Sequence, residues 1–179
     1  FEKSPRFVNL NLAKKLSLHA GNKIKKVAVT VNLTNQILDE IVNNVPLDFI
    51  QLHGKETPER VYEIKTRYKL PVIKAIGISE LDDLDLITLF KGVADQLLID
   101  AKSPSSSVLP GGNGLNFDWE LLKNFEFRCP WLLAGGLNSE NAAEAITLTG
   151  ARQLDLSSGV EKIPGLKDHR KISLFMSAI

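Results

Sequence analysis

The sequence repeats one pattern from end to end: a short aliphatic run, then an amphipathic segment, at intervals of about 23 residues except for one insertion around residues 102–117. The runs occupy residues 27–31, 49–52, 72–78, 96–99, 131–134 and 153–156. Each is four to seven residues and largely aliphatic, which reads as parallel strands buried on both faces. The segments between them have the helical period. Ile37, Leu38, Ile41, Val42 and Val45 make one apolar stripe, and Val61, Ile64 and Tyr68 make another behind a Thr57-Pro58 start. Ser79 with Asp82 reads as a capping box. Asn138 precedes the stripe Ala142, Ala145 and Ile146, which Gly150 ends. Ile172, Phe175, Met176 and Ile179 pattern a last helix, with Met176 as core filler.

A β-α repeat of this kind closes into a barrel or spreads into a doubly wound sheet. Neither a dinucleotide fingerprint nor a Walker loop marks a switch point, so the expectation is an α/β chain with a (βα)8 barrel of the TIM type. Six strands are visible, and a helix over residues 10–19 requires a further strand ending near Phe1. Eight units normally need at least about 200 residues. The chain has 179 and opens on Phe1, not Met. Residues 1–179 are therefore expected to be a single barrel domain that lacks its first β-α unit and most of its second strand, with the missing part upstream.

Composition narrows the function classes. Lys and Arg total 22 against 21 Asp and Glu, a net charge of +1, which removes the electrostatic case for nucleic acid or an anionic membrane. No apolar run approaches the length of a membrane span, and no signal peptide opens the chain. A single cysteine makes no intramolecular disulfide and fits a reducing, cytoplasmic compartment. No metal-ligand spacing occurs, so no metal is expected.

In such barrels the working groups sit at the C-terminal ends of strands. Arg6 follows Ser4-Pro5 where the chain leaves the expected strand, and its guanidinium can fork onto a substrate carboxylate, unless it is a plain solvated arginine. Gln51 and His53 fall on one side of their strand by the period of two, with Leu52 toward the helices. His53 is either structural or part of the site. Asp100 ends Leu97-Leu98-Ile99-Asp100, where desolvation raises a carboxyl toward the range of a general acid, with Lys102 pulling the other way. Gly111, Gly112 and Gly114 let backbone approach a ligand closely, although such loops are often only mobile. Gly135 and Gly136 after one strand, with Ser158 and Gly159 after the next, are placed to hold a phosphate through backbone N–H groups. Asp155 points inward from the last strand. Cys129 starts its strand and so lies at the opposite, stability end.

These residues stand in motifs that resemble phosphoribosylanthranilate isomerase, a barrel enzyme of tryptophan biosynthesis. The motifs run in order from Ser4-Pro5-Arg6-Phe7 through Gln51-Leu52-His53-Gly54, Leu98-Ile99-Asp100 and Gly111-Gly112-Asn113-Gly114-Leu115-Asn116-Phe117-Asp118-Trp119. They continue through Leu133-Ala134-Gly135-Gly136-Leu137 to Asp155-Leu156-Ser157-Ser158-Gly159-Val160-Glu161. The resemblance implies a cofactor-free Amadori rearrangement of a phosphorylated aldosylamine. It implies Asp100 as the general acid, Arg6 on the anthranilate carboxylate, and His53, Gly112, Gly114 and Asp155 around the substrate. Gly135, Gly136, Ser158 and Gly159 are implied at the phosphate. The family's general base, a cysteine in a Cys-Gly-x-Thr context at the end of the first strand, has no counterpart among the 179 residues. A non-catalytic phosphate-binding barrel is the alternative expectation. Oligomeric state and fusion to another pathway domain are left open by the sequence.

Overall fold

The computed structural model of the chain describes residues 1–104, 111, 114, 115 and 117–179. Five parallel strands, β1 (Val27–Thr30), β2 (Phe49–Leu52), β3 (Val72–Ile78), β4 (Gln96–Ala101) and β5 (Trp131–Leu133), form one sheet in sequential order. Helices α1 (Leu10–Ala20), α2 (Asn35–Asn44), α3 (Pro58–Tyr68), α4 (Leu84–Phe90), α5 (Ala142–Thr149) and α6 (His169–Ser177) complete the repeat.

Both faces of the sheet are apolar, as the runs of aliphatic residues require. One face carries Ile50, Leu52, Val72, Ile76, Leu97, Ile99 and Leu133, packed with Leu38, Val61, Ile64 and Ala145 from the helices. The other holds a smaller cluster of Ile73, Ala75, Leu98 and Ala134, with Phe49 and Leu132 beside it. The alternation puts Leu52 on the helix side, as the period of two predicts. Caps set the helix starts. The Thr57 side chain accepts the Arg60 N–H at 3.3 Å with Pro58 in the first turn, and Gly150 ends α5 at φ 69°.

Several expectations shift. The sixth aliphatic run, residues 153–156, is no full strand among the described residues; it makes one parallel bridge, Leu154 to Leu133. The partner strand β5 is only three residues long, and Gly135 at φ 89° turns the chain out of the extended region just beyond it. The capping box lies one residue later than expected, on Glu80 and Asp83, because Asp83 accepts the backbone N–H groups of both Ser79 and Glu80. Asn138 caps its own turn by accepting from Glu140 and Asn141, and α5 starts only at Ala142. Met176 is 62% exposed and so is not core filler; Phe175 is the buried member of that helix. A short antiparallel hairpin, β6 (Glu161–Ile163) with β7 (Leu166–Lys167), had no expected counterpart. Pro164-Gly165 between its strands is the turn signal, with Gly165 at φ 86°.

Candidate functional site at the strand ends

Parallel register gathers the C-terminal ends of β2, β3 and β4 along one edge. Asp100 pairs with Gly77 across β3 and β4. His53 is held in line by its N–H, which donates to the Thr30 carbonyl at 2.8 Å. The result is a contact between the two: His53 Nε2 lies 3.4 Å from Asp100 Oδ2. Gln51, on the same side of the strand, is 3.0 Å from His53 Nδ1 through its amide nitrogen. Asp100 is buried, and its Oδ1 accepts the N–H of Ala101 at 2.8 Å.

Asp155 is the third member of the cluster. Burial pushes its carboxyl above the ordinary carboxylate range, the Asp100 charge adds to that, and His53 and Lys167 oppose it. Lys102, expected to act on Asp100, instead places its ammonium 2.5 Å from Asp83. Gly111 is where the long loop meets the site: a Cβ there would overlap His53 Nε2 and stand 2.9 Å from Asp100 Oδ2. Gly112 lies outside the described residues, as do Pro110, Asn113 and Asn116. Gly114 faces Ser158, whose Oγ would be 3.4 Å from an added Cβ.

Two glycine loops come together at the far side. Gly135 and Gly136 have φ of 89° and 62°, a conformation that L side chains avoid. At Gly159 any Cβ would run into the Leu137 carbonyl, so only glycine lets the second loop pack on the first. The structure thus brings Gly135, Gly136, Ser158 and Gly159 into one place.

Arg6 forms a fork, though its partner is within the protein. Its Nε and Nη2 donate to Glu161 Oε1 and Oε2 at 2.8 and 2.6 Å. Lys167 Nζ reaches Glu161 Oε1 at 3.0 Å and the Ser157 carbonyl at 2.8 Å. Glu161 was visible in its motif but not as this hub, since nothing local ties it to a residue 155 positions earlier. Cys129 precedes β5 at the end of the sheet remote from Asp100, and burial raises its thiol. No helix among the described residues is long and apolar enough to cross a membrane, and no group of three or more His, Cys, Asp or Glu among them could hold a metal ion.

An acid, an imidazole and glycine loops at the C-terminal edge of a parallel sheet place the chain in the class of α/β enzymes that work at strand ends. Residues 1–178 match the family of N-(5′-phosphoribosyl)anthranilate (PRA) isomerase. A relative from Cereibacter sphaeroides named N-(5′-phosphoribosyl)anthranilate isomerase is 52% identical over 178 residues, which is 99% of this chain and 84% of that one. One of the same name from Agrobacterium fabrum is 50% identical over 179 residues, covering 81% of its length. The crystal structure of phosphoribosyl anthranilate isomerase from Thermotoga maritima superposes with a TM-score of 0.85 at 32% identity, over 99% of this chain and 83% of that one. Another isomerase structure, in complex with reduced 1-(o-carboxyphenylamino)-1-deoxyribulose 5-phosphate, superposes at 0.82 with 31% identity, over 99% and 82%. The chain belongs to the phosphoribosylanthranilate isomerase family.

The Arg6 fork and Lys167 hold the Glu161 carboxyl at about 2, well below its ordinary 4.5. A folded pKa below the unfolded one gives stability that is present above about pH 4.5 and lost as pH falls toward 2. Glu161→Gln is therefore less stable than the parent protein at neutral pH. The gap in urea midpoint between the two closes as the pH drops below about 4. A gap that does not change with pH contradicts this assignment.

Proposed function

We propose that the chain converts N-(5′-phosphoribosyl)anthranilate to 1-(2-carboxyphenylamino)-1-deoxyribulose 5-phosphate by Amadori rearrangement, the isomerase step of tryptophan biosynthesis. The observation that carries this reading is Asp100 at a strand end beside His53, in a chain about half identical to named isomerases over nearly its whole length. The relatives give no support to the non-catalytic alternative.

The chemistry assigns work to each group. Asp100, buried and facing the His53 ring, protonates the ribose ring oxygen, so the C1′–O bond breaks and the nitrogen lone pair makes an iminium. Loss of the C2′ proton then gives an enolamine, which returns as the 2-ketone. Cys129 is at the wrong end of the sheet to take that proton, so its acceptor is not assigned to any of the 179 residues. Arg6, oriented by Glu161, faces the anthranilate carboxylate. His53, Gly114 and Asp155 line the sugar. The backbone N–H groups of Gly135, Gly136, Ser158 and Gly159 hold the phosphate. The reaction is redox-neutral overall and needs no cofactor, and a cytoplasmic location fits the single cysteine.

The finer architecture belongs to the same proposal: residues 1–179 are one domain of a (βα)8 barrel whose first β-α unit and most of whose second strand lie outside them. Three observations support it. β1 pairs with β2 alone. Its Val29 is 56% exposed although it lies in an apolar strand. An apolar groove of about 430 Å³ lies open between Leu154, Leu156, Ile172 and Phe175. Unpaired, apolar strand edges template aggregation.

Three measurements test these readings. Asp100→Asn in the active isomerase lowers kcat by about 10²–10⁴-fold with little change in KM, the cost of losing a general acid; a wild-type kcat refutes the role. Inorganic phosphate soaked into crystals occupies the Gly136 and Ser158-Gly159 loops, and density elsewhere with these loops empty refutes the clamp. Residues 1–179 expressed alone are inactive and aggregate, whereas a chain carrying a preceding β-α unit is soluble. A soluble, monomeric, active short form overturns the topology.

A further inference from the structure

Lys74 is the one charged residue within the seven-residue apolar strand β3. Its side chain is 4% exposed and that of its partner Glu56 3%, with Nζ 3.0 Å from Oε2. The two sit on the helix side of the sheet, away from the site, where Nζ lies 5.6 Å from the centre of the Phe90 ring. Burial pulls the lysine down and its neighbour Glu56 pulls it up, and the net direction is down. For Glu56, burial alone would raise the carboxyl, but Lys74 and N–H donors hold it below its ordinary value. An ion pair so placed is weak support for stability, since neutral replacements are often tolerated. Its hydrogen bonds have a different target.

The Lys74 ammonium donates to the carbonyls of Leu52 and Gly54 at 3.3 and 2.7 Å, the residues on either side of His53. Glu56 Oε2 accepts the Gly54 N–H at 2.9 Å, and Oε1 accepts the Asn32 N–H at 2.8 Å. Asn32, at φ 49°, in turn takes the Lys55 N–H at 2.7 Å on its side-chain oxygen. Its side chain also fills the space a Cβ on Gly54 would need. Both peptide groups that bracket His53 are thus gripped from behind, and the neighbouring strand's loop is tied to the same carboxylate. We propose that the Lys74–Glu56 pair is a positioning device that fixes the His53 backbone so that its imidazole meets Asp100.

The inference rests on the reading of His53 as part of the isomerase site, and the test separates the two. Residues 1–179 hold three histidines, and in the active isomerase that carries the preceding β-α unit the ring signals of each are assigned by NMR against single His→Gln variants, that of His53 against His53→Gln. Lys74→Met/Glu56→Gln removes both buried charges together and leaves Leu52 and Gly54 without their donor. The expected result is a folded protein whose His53 ring signals shift or broaden while those of His19 and His169 do not. Its kcat falls by up to about 10²-fold, the cost of a small misplacement at a reacting centre, and KM stays within about threefold. A folded double variant with unmoved His53 signals and parental kcat overturns the proposal. If the double variant does not fold, Glu56→Gln alone, which keeps the shape of the side chain, is judged by the same two readouts. Parental turnover in His53→Gln refutes the reading of the site, whereas moved His53 signals in the pair variant would still establish the positioning.

Discussion

The parallel pairing of β3 with β4 over six consecutive residues is the constraint on which the rest of the molecule depends. It aligns two strands buried on both faces, so neither can slip by a residue without throwing aliphatic side chains off both packed layers at once. With register fixed, the last residue before each loop has a fixed height. Asp100 ends level with Gly77, and β2, paired to β3 at Ile50 with Val72, brings His53 to the same rim. The site exists because that register lets His53 meet Asp100.

The rim collects groups whose charges oppose as much as they attract. Burial and then the nearby Asp100 charge raise the Asp155 carboxyl, and His53 and Lys167 relieve part of that. Glu161 solves the same problem differently, by taking two cations onto one buried carboxylate. Such a division lets carboxyls a short distance apart hold different protonation states, which is the condition for one of them to give up a proton while another stays charged. Glycine supplies the remainder, since loops with φ near 60–90° expose N–H groups and leave no side chain in the way.

Much of this was legible in the sequence because it is local. The period of two placed Gln51 and His53 on one face and Leu52 on the other, and aliphatic runs placed Asp100 at a strand end. The motifs around Gly135 and Ser158 named the loops that the structure brings into contact. What was not legible depends on separation or on competition between neighbours. The run over residues 153–156 has strand composition, yet a three-residue partner and a glycine turn reduce it to one bridge. Lys74 was absorbed into its apolar run because nothing within that run predicts a carboxylate arriving from the loop after β2. Arg6 reads in the sequence as a binder of a substrate carboxylate, whereas the carboxylate it grips in the structure is at the other end of the chain.

That last distance governs how the molecule is made. Glu161 leaves the ribosome 155 residues after Arg6, when all five strands of the sheet have already been synthesised and can pair. Between the synthesis of β5 and that of Glu161, the chain carries all five strands of the sheet and an Arg6 without this fork. The end of the site that carries Arg6 is completed only as the last helix emerges. A message cut short between the codons for Leu133 and Glu161 yields a protein that has every strand of the sheet while lacking the fork that orients the Arg6 guanidinium.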